Sequence, residues 1–365
     1  MNEEWRYRLA LTFVKQTGPK TGRALLAQYG SAAAVFHAPL KELKMIEGMG
    51  EVRARAFRDE AVMERADKEL AYLSENNIQP IWLQDDNYPQ RLKACIDSPL
   101  LLYYKGNGNL DAQKIVAIVG TRRSTDYGLK LTQDLIAGLA DQEDILITSG
   151  LADGIDTIAH KEALKNNIPT VGVVGHGHDQ MYPAGNRGLA KEMQQHGGML
   201  TEFPSGTIPM KENFPMRNRV VAGLSDVTVV VESDIKGGAL ITARIAASYN
   251  RDVAAFPGRV SDKRSGGCNE LIRTNTAAMI TRAEDLLELM NWGKAKKKPV
   301  QKQLFINLSP DEQTLMNLLQ GTDSMHADDL YHKSGMTSSQ LASTLLLLEM
   351  QGLVKTLPGK MYRVE

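Results

Sequence analysis

The sequence predicts an α/β fold: a mostly parallel central sheet, a helical segment before it and a winged-helix domain after it. Three observations point there. Short apolar runs recur between residues 113 and 290, as "IVAIVG", "ILITSG", "TVGVVG", "MLTEF", "VTVVVES", "DVAAFPG" and "AAMIT". They are continuously apolar rather than alternating, which suits parallel strands covered on both faces. Amphipathic stretches such as Tyr127 to Ala140 and Asp156 to Lys165 separate most of them, so strand and helix alternate.

In chain order, residues 1–65 read as a helical domain punctuated by "QTGPKTGRALLAQYGS" and "IEGMGEVRARAF". The second stretch, around Gly48 and Gly50, looks like a helix-hairpin-helix or SAM-type turn; a small bundle with glycine caps reads the same way. Residues 66–290 carry the sheet. Its first part offers strands at Ile81–Leu83 and Leu100–Lys105, expected to extend the sheet at one edge. Residues 291–303 hold five lysines and a proline without periodicity, a linker. Residues 304–365 give three helical stretches with Ser or Asp caps, then "VKTLPGKMYRV", two short strands about a Pro-Gly turn.

Composition excludes several classes. The 365 residues sum to a net charge of zero, so a polyanion must be received on a local basic patch. No apolar run approaches the roughly 18 residues of a membrane span. The N-terminal stretch has two early glutamates and no apolar core, unlike a signal peptide. Cys95 and Cys268 stand alone, as reduced thiols of a cytoplasmic protein would.

Four strand ends carry polar, glycine-bearing turns: "GTRRST", "SGLADGID", "GHGHDQMYP" and "ESDIKGGALITA". In an open α/β sheet such ends form the ligand crevice, and helix starts there offer N–H groups to an anion. No nucleotide cofactor is called for, since neither GxGxxG nor GxxxxGK[ST] occurs. His176 and His178 lack a third ligand at diagnostic spacing, so no metal is expected. "MKENFPMRNR" groups Lys211, Arg217 and Arg219 about Phe214. Read as a strand or loop, it places Arg217 and Arg219 on one side. Cations for phosphates and a ring for a base suit single-stranded nucleic acid. Alternatively Phe214 is core and the arginines cap a helix or pair with Glu202 and Glu232. Helix Thr337 to Gly352 has no Lys or Arg, which favours a protein-contact role over DNA reading for the last domain.

These motifs resemble the DNA-processing protein A family (DprA, also called Smf). The resemblance rests on "VAIVGTRRSTDYG", "SGLADGIDTIAHKEAL", "TEFPSGTIPMKENFPMRNRVVAGLSD" and "GGALITARIAASYNRDVAAFPG", in that order. It implies an extended Rossmann-like core that binds single-stranded DNA without sequence preference. It implies a homodimer that loads a RecA-type recombinase during natural transformation, alongside a single-strand-binding protein, and no enzymatic activity. Carried over by position, the pocket is Thr121, Arg122, Arg123, Ser124, Ser149, Gly150 and Gly154. Lys211, Phe214, Arg217 and Arg219 face DNA, and Gly237, Gly238 and Ala239 close the pocket. The competing reading is a Rossmann-like hydrolase that cleaves a nucleotide N-glycosidic bond, with Glu202 as its acid.

Overall fold

The computed structural model describes residues 3–15, 17–46, 49–293, 308–320, 322, 324–357 and 359–364. Two compact units result, Met1–Lys296 and Lys297–Glu365. The lysine linker lies outside the described residues apart from 291–293, as do Glu47 and Gly48 of the hairpin-like turn.

Six helices come first: α1 (Glu3–Phe13), α2 (Pro19–Tyr29), α3 (Ala32–His37), α4 (Leu40–Lys44), α5 (Glu51–Ala56) and α6 (Glu60–Glu75). Ser31 and Asp59 cap α3 and α6 through their side chains, and Pro19 starts α2 where its missing N–H costs nothing. Their apolar faces share one core with the sheet: Leu9, Leu25 and Leu73 pack in the same cluster as Trp82, Leu102 and Ile115. Packing therefore runs without a break past residue 65.

The sheet has nine strands: β1 (Gln79–Trp82), β2 (Leu101–Gly106), β3 (Lys114–Val119), β4 (Ile145–Ser149), β5 (Thr170–Val173), β6 (Gly197–Thr201), β7 (Val227–Val230), β8 (Asp252–Ala255) and β9 (Ala278–Met279). Their order is β1-β2-β6-β5-β4-β3-β7-β8-β9. β1 and β2 are antiparallel and extend the sheet at one edge; from β6 to β9 every pairing is parallel. The helices between are α7 (Gln90–Lys93), α8 (Asp126–Leu139), α9 (Ile155–Lys165), α10 (Arg187–Met193), α11 (Asn213–Leu224), α12 (Ala239–Ser248), α13 (Gly266–Arg273) and α14 (Ala283–Leu289).

Strand alternation divides β3 between two cores. Ile115, Ala117 and Val119 join Val220 and Ala243 on one face, while Val116 and Ile118 join Leu135 and Ala159 on the other. The chain leaves β3 toward β4, β5 and β6, then returns beside β3 to lay down β7 and β8. That reversal is a topological switch point, where α/β sheets open a crevice at the strands' carboxyl ends.

In the second unit, α15 (Pro310–Leu319), α16 (Ala327–Ser334) and α17 (Ser338–Met350) pack with β10 (Met325–His326), β11 (Val354–Leu357) and β12 (Met361–Val364). The strands pair in the order β10-β12-β11. Capping boxes at Ser309–Glu312 and Thr337–Gln340 start α15 and α17. Leu315, Leu319, Leu330, Leu345 and Leu348 form the core of this winged-helix unit.

Candidate nucleic-acid interface

A pocket of about 420 Å³ opens at the switch point. Its walls come from the turns after β3, β4 and β7 and from the first half of α11. Nine sequence-expected residues line it: Thr121, Arg122 and Gly150 on one side, Lys211, Phe214 and Arg217 on another, and Gly237, Gly238 and Ala239 closing it. The start of α12 brings Gly238 and Ala239 there with the backbone amides of a helix N-terminus.

The segment around Phe214 is not extended. Residues 213–224 form α11, with Pro215 in its first turn, where proline is tolerated. At about 100° per residue, Arg217 and Arg219 then leave the helix on opposite sides. Arg217 forms part of the pocket floor and is 6% exposed. Its Nη1 donates to the Val173 carbonyl at 2.7 Å, and its Nε has no partner. Burial pulls its pKa down, and the opposing charge of Asp156 holds it up. Asp156, also buried, accepts the N–H groups of Gly150 (3.1 Å) and Ala152 (3.4 Å). Burial pushes its carboxyl above the usual carboxylate range, against the pull of Arg217. Gly150 leaves room for Arg217: a Cβ there would run into the guanidinium and displace it.

Arg219 is instead paired with Glu202, and its Nη1 donates to the Asp97 carbonyl. It lies outside the pocket lining and ties the helix to the loop after β6. Glu202, the acid that glycosidic cleavage needed, is thus engaged away from the pocket; the carboxylates that line it are Asp156 and Asp234.

Of the two arginines after β3, Arg122 enters the crevice. Its guanidinium lies 5.3 Å from the Phe214 ring centroid, and Phe214 meets Tyr182 at 5.9 Å. Arg122, Phe214 and Tyr182 thus form a cation and two rings in series at the mouth. Tyr182, 44% exposed, is the residue that sequence reasoning missed. It sits in the "GHGHDQMYP" turn, whose histidines brace the loop. His176 Nε2 accepts the Tyr182 N–H at 3.3 Å, and His178 Nε2 lies 3.0 Å from the Tyr103 carbonyl. Burial pushes the His178 pKa down to about 4, so it donates there as neutral imidazole.

The remaining expected residues stand around the pocket. Arg123 is exposed and Ser124 half-buried, both outside the lining. Ser149 is fully buried, its hydroxyl donating to the Ile118 carbonyl at 2.6 Å. Gly154, at φ +77°, presses against the backbone of Thr121 and Arg122 and shapes their turn. Glu232, 1% exposed, reaches across from the end of β7 and accepts the Thr125 N–H (3.0 Å) and hydroxyl. Thr125 in turn caps α8 through the Gly128 N–H at 3.1 Å.

The sequence model described as DNA recombination-mediator protein A matches residues 79–291, and that of the DprA winged helix domain matches residues 300–360. A putative DNA processing protein DprA from Mycobacterium tuberculosis is 36% identical over 313 residues, covering 82% of this chain and 80% of that protein. Protein Smf of Escherichia coli is 33% identical, covering 81% and 80%. The X-ray structure of DprA from Streptococcus pneumoniae superposes with a TM-score of 0.64 at 33% identity, over 79% of this chain and 98% of that one. DprA from Helicobacter pylori, whose structure is described for its single-stranded DNA binding mode, gives a TM-score of 0.54 at 31% identity, over 60% and 98%.

Proposed function

This chain belongs to the DNA recombination-mediator protein A family, and from that premise we propose that its switch-point pocket binds single-stranded DNA without sequence preference. The observation that carries the reading is the Arg122–Phe214–Tyr182 series above the Arg217 floor. Aromatic rings accept any base, because every base has a π-face, and the cations take phosphates. Lys211, exposed at the rim and free of any ion pair among the described residues, adds a mobile charge. The protein would then act as a homodimer that passes incoming strands to a RecA-type recombinase in natural transformation, past a single-strand-binding protein. The winged-helix unit serves protein contact, since α17 carries no cation and exposes Leu346, Leu347 and Met350.

Fluorescence anisotropy with labelled oligothymidylate and with duplex, at several salt concentrations, tests the binding step. Single-strand affinity should exceed duplex affinity and fall with salt at a slope of about −0.7 per neutralised phosphate. A flat salt response or equal affinity for duplex refutes it. Recombinase assembly on strands precoated with single-strand-binding protein tests the loading step; no acceleration on adding this protein refutes that step alone.

A further inference from the structure

Residues 256–265 join β8 to α13, outside the pocket lining. The loop nevertheless abuts the pocket rim. Ser233, which lines the pocket, donates its N–H to the Arg264 carbonyl at 2.8 Å, and Gly267 donates to the Ser233 carbonyl at 2.8 Å. The loop is braced from within. Asp262 accepts the Ser265 hydroxyl (2.7 Å) and the Arg264 N–H (3.1 Å), and these bonds, with the nearby charges of Arg264 and Arg259, hold its carboxyl below the usual range. Asn269 bridges both backbone groups of Gly258, at 3.1 and 3.0 Å.

The cations of this braced loop are left over. Among the described residues, the side chains of Arg259, Lys263 and Arg264 make no ion pair or hydrogen bond. Arg91, Arg217, Arg219 and Arg251 elsewhere in the unit are all engaged. Lys236, on the adjoining turn, is exposed and equally free. Val260 is 99% exposed and Ile235 61%, apolar side chains standing among the charges. The acids here are Asp262, hydrogen-bonded within the loop's own turn and offsetting part of the Arg259 and Arg264 charge, and Asp234 at the rim.

We propose that this loop is a second contact for the same DNA strand: nucleotides leaving the pocket cross the Ser233–Asp234 rim and lay their phosphates on Arg259, Lys263 and Arg264. The inference rests on the single-stranded DNA reading above. A pocket at the low end of ligand-site volumes holds only a short piece of a strand, so the remainder must leave over a rim. This rim is continuous with cations that make no ion pair among the described residues, and hydrogen-bonded backbone presents them.

The test is the triple variant Arg259→Ser, Lys263→Ser, Arg264→Ser, titrated with a thymidylate of about six nucleotides and one of about 25. The short strand should bind as in the wild type. The long strand should show a salt slope shallower by about 2, hence about 100-fold weaker binding than the wild type at 0.1 M, a difference that closes as salt approaches about 1 M. An unchanged slope and affinity for the long strand overturns the proposal. Equal loss for both strands also overturns it, by making the loop part of the pocket. Wild-type protein that binds neither strand refutes the parent reading instead. An unchanged melting temperature confirms that the surface substitutions left the fold intact.

Discussion

Replacing Arg217 with Met separates the pocket's two accounts. The guanidinium is 6% exposed and makes one hydrogen bond, to the Val173 carbonyl. Losing that bond leaves a buried carbonyl unsatisfied, a cost of about 1–3 kcal/mol. Against this, a buried cation is no longer kept from water, and methionine fills much of the same volume. Replacing a whole buried ion pair by apolar groups is often neutral or stabilising, whereas removing one partner costs about 3–5 kcal/mol when the other is left charged. Asp156 keeps its two backbone donors, and losing the Arg217 charge pushes its carboxyl further upward, the direction in which burial already drives it. Stability should therefore fall, by about 1–3 kcal/mol where Asp156 neutralises and by about 3–5 kcal/mol where it stays charged. A charge-assisted contact to a phosphate is worth about 1.5–3 kcal/mol, so oligothymidylate should bind about 10- to 150-fold more weakly. Anisotropy titration and thermal melting of the same preparation read both quantities. Affinity within twofold of wild type, combined with a lowered melting temperature, would refute the floor-charge reasoning and make Arg217 a purely structural group.

Tyr182→Ala should cost about 1–3 kcal/mol of single-strand binding, the worth of one stacked base, and an abasic strand of equal length should be insensitive to the change. Arg219→Ala leaves Glu202 buried without its partner, so the fold should lose about 3–5 kcal/mol in urea titration while DNA affinity of the folded protein holds. His160 is fully buried with its pKa pushed down to about 3 by burial and the Arg217 charge. A folded pKa below the unfolded one means that stability present above about pH 6.5 is lost as pH falls toward 3. The expected slope is about 1.4 kcal/mol per pH unit, and His160→Gln should flatten it in melting curves.

The parallel strands were legible because burial on both faces leaves runs such as "IVAIV" and "ILIT" without polar interruption. The β3 turn was legible for the same reason, since a polar stretch breaking such a run sits at a strand's carboxyl end. Helix α11 was not. It is buried on nearly every side, with Asn213, Arg217, Arg219 and Val220 to Leu224 all inside, so no amphipathic period marks it. A proline and two arginines near its start read as loop chemistry, yet each is accommodated: Pro215 by the first turn, Arg217 by Asp156 and Val173, Arg219 by Glu202. Tyr182 escaped because its turn was judged by its histidines and glycines. The cations of residues 259–264 escaped because a charge run in sequence looks the same whether it faces bulk water or a pocket rim.

The missing dinucleotide fingerprint has a structural counterpart in Glu232. In a dinucleotide-binding turn, the helix start after the first strand receives the pyrophosphate. Here that position, the start of α8, is filled by the protein itself: Thr125 caps Gly128, and the Glu232 carboxylate takes the Thr125 N–H and hydroxyl. Glu232 also lies where a Cβ on Gly128 would go, so that glycine makes room for a carboxylate rather than a phosphate. Gly120 likewise serves close packing, since a Cβ there would strike Ile155. A phosphate arriving at this end of the sheet meets a negative charge at α8. Favourable partners line the crevice elsewhere, at Arg122, Lys211, Arg217 and the start of α12. Strand order decides this division. β4, β3 and β7 are neighbours, so their three turns converge, while the turn after β5 is two strands from β3 and contributes an aromatic ring instead of its glycines. Four similar turns in the sequence thus become three pocket walls and one aromatic arm, an arrangement that suits the proposed strand passing across the crevice better than a cofactor seated on α8.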